Sequence, residues 1–586
     1  MKKTLLTCFL ASLCLYGSTL TAQVADSPGA DFLHRSSPSV PFGLRDTHRG
    51  GETRSDTLPE QNGLVDHSVA KGQEGESSSA SVGEDFRKEG LSVFVYGEIR
   101  SGAMSDSLLL TFWEKYLGRY VSYVGMDSEY VVLEEGSMLQ GAAGKKVLHY
   151  ESLSISEEAY ISIASVLGDQ YLDRFLVEPG DSLIFSLDLR LGQLIFAGPD
   201  ALKFELQHTL AREENKASFM ETPAFHLQAG QDPDVQQESF MDRSPLVDGY
   251  APRSMEFIAF GADRRKWMEA RLKKLPSEDS RLWILEEYRG RFSDEFLDIL
   301  RADVLGESVS QSISLIKNLP LESRSESQEL LEEYLGKIGD LKISPDAAAS
   351  SAFYQEYLLE RESLLSIYSG EGLFSRLEAR FSGEVYDRMV GRFLFENYYR
   401  LPDFGNALAR VTDRISDTEI RLGLESLAAA HRVGSLVKEL PLIDTNGDST
   451  DLEAYRGKTV LLAFWFPGCL PSKLMHEGQL SKVQKELEER EDFAILSINT
   501  DPDPVLWKTY LSENPSYSFG NEHLFLGGRD MHPFLKFYDI QAYPSLMLID
   551  GEGKLIRSLK MPSKAESLID LIQENLTDEN HLNTTH

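Results

Sequence analysis

Apolar and polar residues alternate with a period of two through "LSVFVYGEIR", "EYVVLEEG", "KKVLHYESLSI", "AYISIASV", "RFLVEPGDSLIFSLDL" and "LGQLIFAG". Gly, Asp and Pro-Gly-Asp turns separate these runs, which predicts a small antiparallel β-domain over 91–200. Asp181 closes the turn Pro179-Gly180-Asp181, and turn chemistry accounts for it without a ligand. From 201 to 433 the period lengthens. "RRKWMEARLKKL", "SQELLEEYLGKI", "SAFYQEYLLERESLLSIY" and "RLGLESLAAAHRVGSLV" carry apolar residues at three-to-four spacing, so the region reads as helical. Its aromatic stripes, among them Trp267, Tyr354 and Tyr357, read as helix cores. A polar, Pro- and Gln-containing loop is expected over 215–255, and no fixed period marks a solenoid.

Strand and helix patterns then alternate over 434–579. Strands are predicted at 459–466, 493–499, 545–550 and 554–560, with helices near 470–490, 503–513 and 564–577. "TVLLAFWF" shows no polar alternation, as expected of a strand covered on both faces. The pattern gives one compact α/β domain around a central sheet. The fold class is therefore multidomain: an N-terminal antiparallel β-domain, a middle helical region and a C-terminal α/β domain. A chain of 586 residues is in any case too long for one hydrophobic core.

The ends add a destination. "MKKTLLTCFLASLCLYGSTLTAQ" has a short basic start, an apolar core of signal-peptide length and a small residue, Ala22, before Gln23. Residues 1–22 are thus expected to be a secretory signal peptide, placing the protein in the periplasm or cell envelope. Lipoprotein processing is disfavoured, because Thr7 precedes Cys8 and Leu13 precedes Cys14 where a small residue is needed. Residues 23–90, rich in Ser, Gly, Asp and Glu, read as a disordered linker, and 580–586 as a tail. No later stretch is long and apolar enough to be a membrane span. The net charge of -34 repels nucleic acid and anionic membrane surfaces, which discounts both as partners.

Cleavage after Ala22 leaves a single cysteine, Cys469, so an internal structural disulfide is excluded. Cys469 stands in "FWFPGCLPSK", where strand gives way to helix. Unpaired backbone N–H groups and the helix dipole there favour thiolate over thiol, and thiolate is the nucleophile of disulfide exchange. Placement alone leaves a small buried hydrophobe equally open.

The wider context narrows the choice. "DTNGDSTDLEAYRGKTVLLAFWFPGCLPSK", "FAILSINTD" and "KFYDIQAYPSLMLIDGEGKLI" closely resemble the TlpA-like thiol-disulfide oxidoreductases of the thioredoxin superfamily, a redoxin (AhpC/TSA-type) domain. The resemblance covers roughly the last 145 residues of the chain. It implies a thioredoxin fold over 434–579, with Cys469 as nucleophile four residues after Trp465. It further implies a cis bond at Tyr543-Pro544, whose backbone beside the sulfur pairs with substrate, and a retained Pro471. Trp465, Pro471, Tyr543 and Pro544 are the substrate-contacting positions on this reading. The β-domain resembles the N-terminal domain that accompanies such modules in envelope proteins of Gram-negative bacteria. Partners would be protein or small-molecule thiols and disulfides of the envelope, with no cofactor.

The family pattern is broken at three places. Ser472 stands where the second cysteine belongs, Met475 replaces a glutamate, and Glu477 replaces a helix-kinking proline. A dithiol enzyme releases its mixed disulfide by attack from the second thiol, which Ser472 cannot supply. Monothiol exchange or isomerisation through mixed disulfides remains. The alternative is a redox-inactive binding or scaffold protein that uses the thioredoxin fold as a platform. "FPGC" resembles some peroxiredoxins, but Leu462 and Phe466 occupy the positions of that family's Pro and Thr. His476, two helical turns or roughly 10 Å beyond Cys469, reads as a solvated helix residue, and His532 as the end of a loop. No residue set has metal-ligand spacing, and "DTNGD" reads as a hairpin turn.

Overall fold

The alternating runs pair into two sheets packed face to face. In a computed structural model the structure describes residues 90–100, 107–136, 145–165, 169–189, 191–243, 255–514, 522–528 and 532–576. The expected signal peptide, the linker up to residue 89 and the tail lie outside the described residues. One sheet contains β1 (Phe94–Arg100), β4 (Glu134–Glu135), β5 (Lys146–Glu151), β8 (Ser182–Asp188) and β9 (Gln193–Ala197), in the order β4-β5-β1-β8-β9. The other contains β2 (Ser107–Trp113), β3 (Met126–Val132), β6 (Ala159–Ser165) and β7 (Gln170–Val177), in the order β3-β2-β6-β7. Val95, Ile99, Leu183 and Phe185 from the first meet Leu110, Ile161, Ile163 and Phe175 from the second in one core. Every residue of β6 is buried, whereas β8 alternates strictly. The expectation of a wholly antiparallel domain needs one correction, since β1 and β8 run parallel from Phe94↔Ser182 to Arg100↔Asp188. Parallel neighbours need a long crossover, and the strands β2 to β7 between them provide it.

The helical region begins where the sandwich ends. The helix Ala201–Met220 buries Phe204, Leu206 and Leu210 and leaves its last turns in solvent. The loop expected over 215–255 is therefore corrected: that helix runs to Met220. A parallel pair, β10 (Ala224–His226) and β11 (Glu256–Ile258), flanks the helix Pro233–Arg243. Further on, Ser293, Ser323, Ser351, Asp403 and Asp417 each cap a helix by accepting a backbone N–H. The long helix Asp294–Asn318 crosses Ala352–Ser369 at Gly306, where a Cβ would lie 2.4 Å from the Tyr354 nitrogen. Tyr354 and Tyr357 are buried here as expected, while Trp267 is partly covered.

Sandwich and helices share one core, because Trp113, Tyr116, Leu117 and Tyr160 pack among the helical side chains. Polar groups pin this joint. Tyr160 OH donates to Asp303 Oδ2 at 2.9 Å, and Ser351 Oγ donates to Asp303 Oδ1 at 2.6 Å. Asp303 is buried, and desolvation pushes its carboxyl up to about 7 against the favourable bonds from Ser351 and Tyr160. Nearby, Arg174 donates to Glu356 at 2.9 Å, with Arg392 at 3.4 Å from the same oxygen. Burial alone would push the Glu356 carboxyl up; Arg174 and Arg392 hold it below its ordinary value.

The C-terminal sheet contains β12 (Leu442–Asp444), β13 (Ser449–Thr450), β14 (Thr459–Trp465), β15 (Phe493–Asn499), β16 (Glu522–Phe525), β17 (Ser545–Ile549) and β18 (Leu555–Arg557). Their order is β13-β12-β16-β15-β14-β17-β18. β14 is parallel to β15 and antiparallel to β17, and all its residues are buried. Phe534, Leu535 and Tyr538 belong to one apolar cluster against this sheet, and Leu480, Val483, Leu568 and Ile572 to the other. Asp444 accepts the N–H groups of Asn446, Gly447 and Asp448 and so forms the β12–β13 turn. The chain arriving from the helices lines the edge strand β18. Gly434 N–H donates to Leu555 O at 2.7 Å, Leu555 N–H to Ser435 O at 2.8 Å, and Val437 N–H to Gly553 O at 3.0 Å. Among the described residues no helix is long and apolar enough to cross a membrane.

Candidate functional site

Strand β14 delivers its last side chain, Trp465, into the interior, and the chain then turns through Phe466-Pro467-Gly468. Gly468 takes φ +83°, a conformation that side-chain-bearing residues rarely adopt, so the turn into Cys469 depends on glycine. Cys469 is the N-cap of the helix Leu470–Met475, and Pro471 fits that helix's first turn, where no N–H is needed. A π turn, His476–Leu480, interrupts the helix before it resumes at Ser481–Leu487. Glu477 lies inside that irregular turn.

The Cys469 thiol donates to the carbonyl of Tyr543 at 3.7 Å, and the Tyr543-Pro544 bond is cis. The ring of Phe466 meets that of Tyr543 edge-on, with centroids 5.3 Å apart. Cys469, Tyr543 and Pro544 thus come together from segments distant in sequence, with Pro471 exposed on the first helical turn. The sulfur is less open than the sequence suggested: Cys469 is only 8% exposed, and its thiol faces the Tyr543 carbonyl.

Two expected site residues sit elsewhere than on the surface. Trp465 is fully buried, its indole donating to Ser497 Oγ at 2.9 Å. Ser472 is also fully buried, and its hydroxyl makes no hydrogen bond among the described residues, to Cys469 or otherwise. His476 is corrected as well. It is 3% exposed, not solvated, since the inward face of the helix carries it edge-on against the Trp465 ring at 5.9 Å. Desolvation, with His523 facing it, pushes the His476 imidazole down to about 4, and His523 is likewise pushed to about 4 by burial. Both are neutral at pH 7.

Phe466, Ser497 and His523 were not anticipated from the sequence. Only the pairing of β14 with β15 and of β15 with β16 brings Ser497 and His523 near the site. His532 has a structural role: its ring nitrogen accepts the Phe534 N–H at 3.2 Å and caps the helix Pro533–Phe537. Among the described residues no group of His, Cys, Asp and Glu is arranged to hold a metal ion.

Comparison with known proteins places this geometry. Residues 457–555 match the family described as thioredoxin-like. No curated protein matches the chain. Among solved structures, the thioredoxin domain of a thiol-disulfide oxidoreductase from Bacteroides vulgatus is 26% identical, covering 25% of this chain and 99% of its own, with TM-score 0.22. A thiol:disulfide interchange protein from Bacteroides sp. is 26% identical, covering 27% and 99%, with TM-score 0.23. A thiol-disulfide oxidoreductase from Bacteroides fragilis is 23% identical, covering 24% and 100%, with TM-score 0.22. Residues 457–555 thus belong to a thioredoxin-like domain.

Proposed function

We propose that this protein carries out monothiol disulfide exchange or isomerisation in the cell envelope, with Cys469 as its nucleophile. The observation that carries the reading is the contact of the Cys469 thiol with the Tyr543 carbonyl, with a buried serine in place of a thiol three residues on. The Cys469 thiolate attacks one sulfur of a substrate disulfide. A bond forms between the two sulfurs, and the second substrate sulfur leaves as thiolate and takes a proton from water. Ser472 cannot displace the adduct, so release needs a thiolate of the substrate or of an outside thiol, which restores Cys469 with no net change of oxidation state. The Tyr543 carbonyl, now held by the thiol, is the backbone group offered to a substrate chain, flanked by Pro544 and Pro471. No cofactor takes part. Export by the segment 1–22 supplies the oxidising compartment this chemistry needs.

The 8% exposure of Cys469 favours a second reading, a redox-inactive platform that binds a partner through the same fold. Trapping separates the two. Native protein incubated with envelope extract and run on non-reducing gels should show disulfide-linked adducts that vanish on reduction and in the Cys469→Ser variant. Absence of any adduct with the native protein would leave only the binding role.

A further inference from the structure

We infer that the sandwich domain supplies one wall of the substrate groove, and that Tyr120 selects polypeptide disulfides carrying an aromatic or aliphatic side chain close to their cysteine. The inference rests on the reading of Cys469 as the exchanging thiol. The segment Phe537–Tyr543, which leads to the carbonyl over the sulfur, is held by the connection between β2 and β3. Tyr123 OH donates to the Phe537 carbonyl, and Gln541 Nε2 donates to the Tyr120 carbonyl at 2.9 Å. Lys536 lies 3.9 Å from the Asp127 carboxylate at the start of β3. Neighbours of Tyr120 are fixed: Leu117, Val121 and Val124 are buried, and Arg119 is paired with Asp173 at 2.7 Å. Tyr120 itself remains 54% exposed, an aromatic ring left at the surface of a segment whose backbone is tied to the active-site loop.

Distance makes this placement useful. Gln541 is two residues from Tyr543, and the path from the Tyr120 carbonyl through the Gln541 side chain, two extended residues and the Tyr543 carbonyl spans at most about 20 Å to the sulfur. A polypeptide linked to Cys469 that runs along Ala542 and Tyr543 toward this segment therefore meets Tyr120 within about six residues of its cysteine. Leu470 and Leu474, one helical turn apart on the helix that Cys469 caps, are further exposed apolar side chains. A tyrosine suits the role, since it presents a large rigid contact at low entropic cost and tolerates water at its tip. A small disulfide reaches the sulfur without meeting it.

The test uses the full chain and two probes: Ellman's reagent, and an eight-residue peptide whose cysteine carries the same nitrothiobenzoate leaving group. One peptide bears leucine four residues from the cysteine and a second bears glycine there. The native protein should react faster with the leucine peptide than with the glycine peptide. Tyr120→Ala should lower the leucine-peptide rate constant by about tenfold, through KM, and leave the rate with Ellman's reagent unchanged. Tyr120→Phe should retain the preference. Equal losses on both probes, or no preference in the native protein, would overturn the inference while leaving the exchange chemistry intact. Failure of Ellman's reagent to label native Cys469 would overturn the functional reading and the inference with it.

Discussion

Replacing Asp303 by asparagine should change how stability depends on pH, and the structure fixes the sign. Burial raises the carboxyl from 3.8 to about 7, although Ser351 and Tyr160 donate to it. In the unfolded chain it ionises near its ordinary value. Between about pH 4 and pH 7 the folded protein therefore holds a proton that the unfolded chain has lost, and rising pH favours unfolding. The stability contributed by Asp303 is complete below about pH 4 and is lost as pH rises through about 7. A shift from 3.8 to about 7, at about 1.4 kcal/mol per pH unit, amounts to about 4 kcal/mol. Asp303→Asn keeps the shape of the neutral acid and has no proton to lose, and all other titrating groups are shared with the native chain. The native-minus-variant difference in unfolding free energy should thus fall by about 4 kcal/mol between pH 4 and pH 8. Urea titrations followed by tryptophan fluorescence would measure it, since Trp113 shares the core into which Tyr160 carries this contact. A difference that stays flat with pH, or rises, would refute the reasoning.

Two further outcomes follow from the site. Ser472→Cys gives up no hydrogen bond, so stability should stay within about 1 kcal/mol, and oxidation should close a disulfide between Cys469 and the introduced thiol. Turnover of a peptide disulfide with dithiothreitol should then rise on the order of tenfold, because the adduct can be released from within; mass spectrometry showing no loss of two hydrogens, with no gain in turnover, would count against it. His476, pushed down to about 4, contributes stability that is present above pH 6.5 and is lost as pH falls through 4. His476→Phe keeps the ring against Trp465 and should remove up to about 3 kcal/mol of the native protein's acid sensitivity, read as urea midpoints at pH 7 and pH 4. A variant that weakens in acid as much as the native chain would show that this imidazole does not titrate on unfolding.

Local pattern carried the elements and not their meeting places. The run "TVLLAFWF" announced a strand buried on both faces, and β14 is one. The helical period of 327–338 falls within an observed helix, and that of 351–368 starts at the N-cap of another. Strands β12, β13 and β16 escaped notice because two to four residues carry too little periodicity, and they are held by ladder partners elsewhere in the chain. The parallel pairing of β1 with β8 is likewise a non-local choice. At the site, the spacing of Trp465, Cys469 and Tyr543-Pro544 was legible as a resemblance, and the structure brings the Cys469 thiol to the Tyr543 carbonyl ahead of a cis bond to Pro544. What spacing could not reveal was depth. Trp465, Ser472 and His476 all point inward, and the thiol faces the Tyr543 carbonyl. The hold of Tyr120 and Tyr123 on the active-site loop joins residues more than 400 apart, for which no local signal exists.

The backbone seam along β18 bears on how the C-terminal sheet can meet other chains. Residues 434–437 bond to both backbone groups of Leu555, at the start of that edge strand, and to Gly553 just before it, so a stretch that joins two parts of the protein also pairs with the sheet's edge. The opposite rim ends in β13, which is two residues long. One rim is thus covered at its start by the incoming chain and the other is short, and both features reduce the edge on which copies could stack. The length of chain between the last helix and β12 is therefore under constraint, because slack there would reopen the rim.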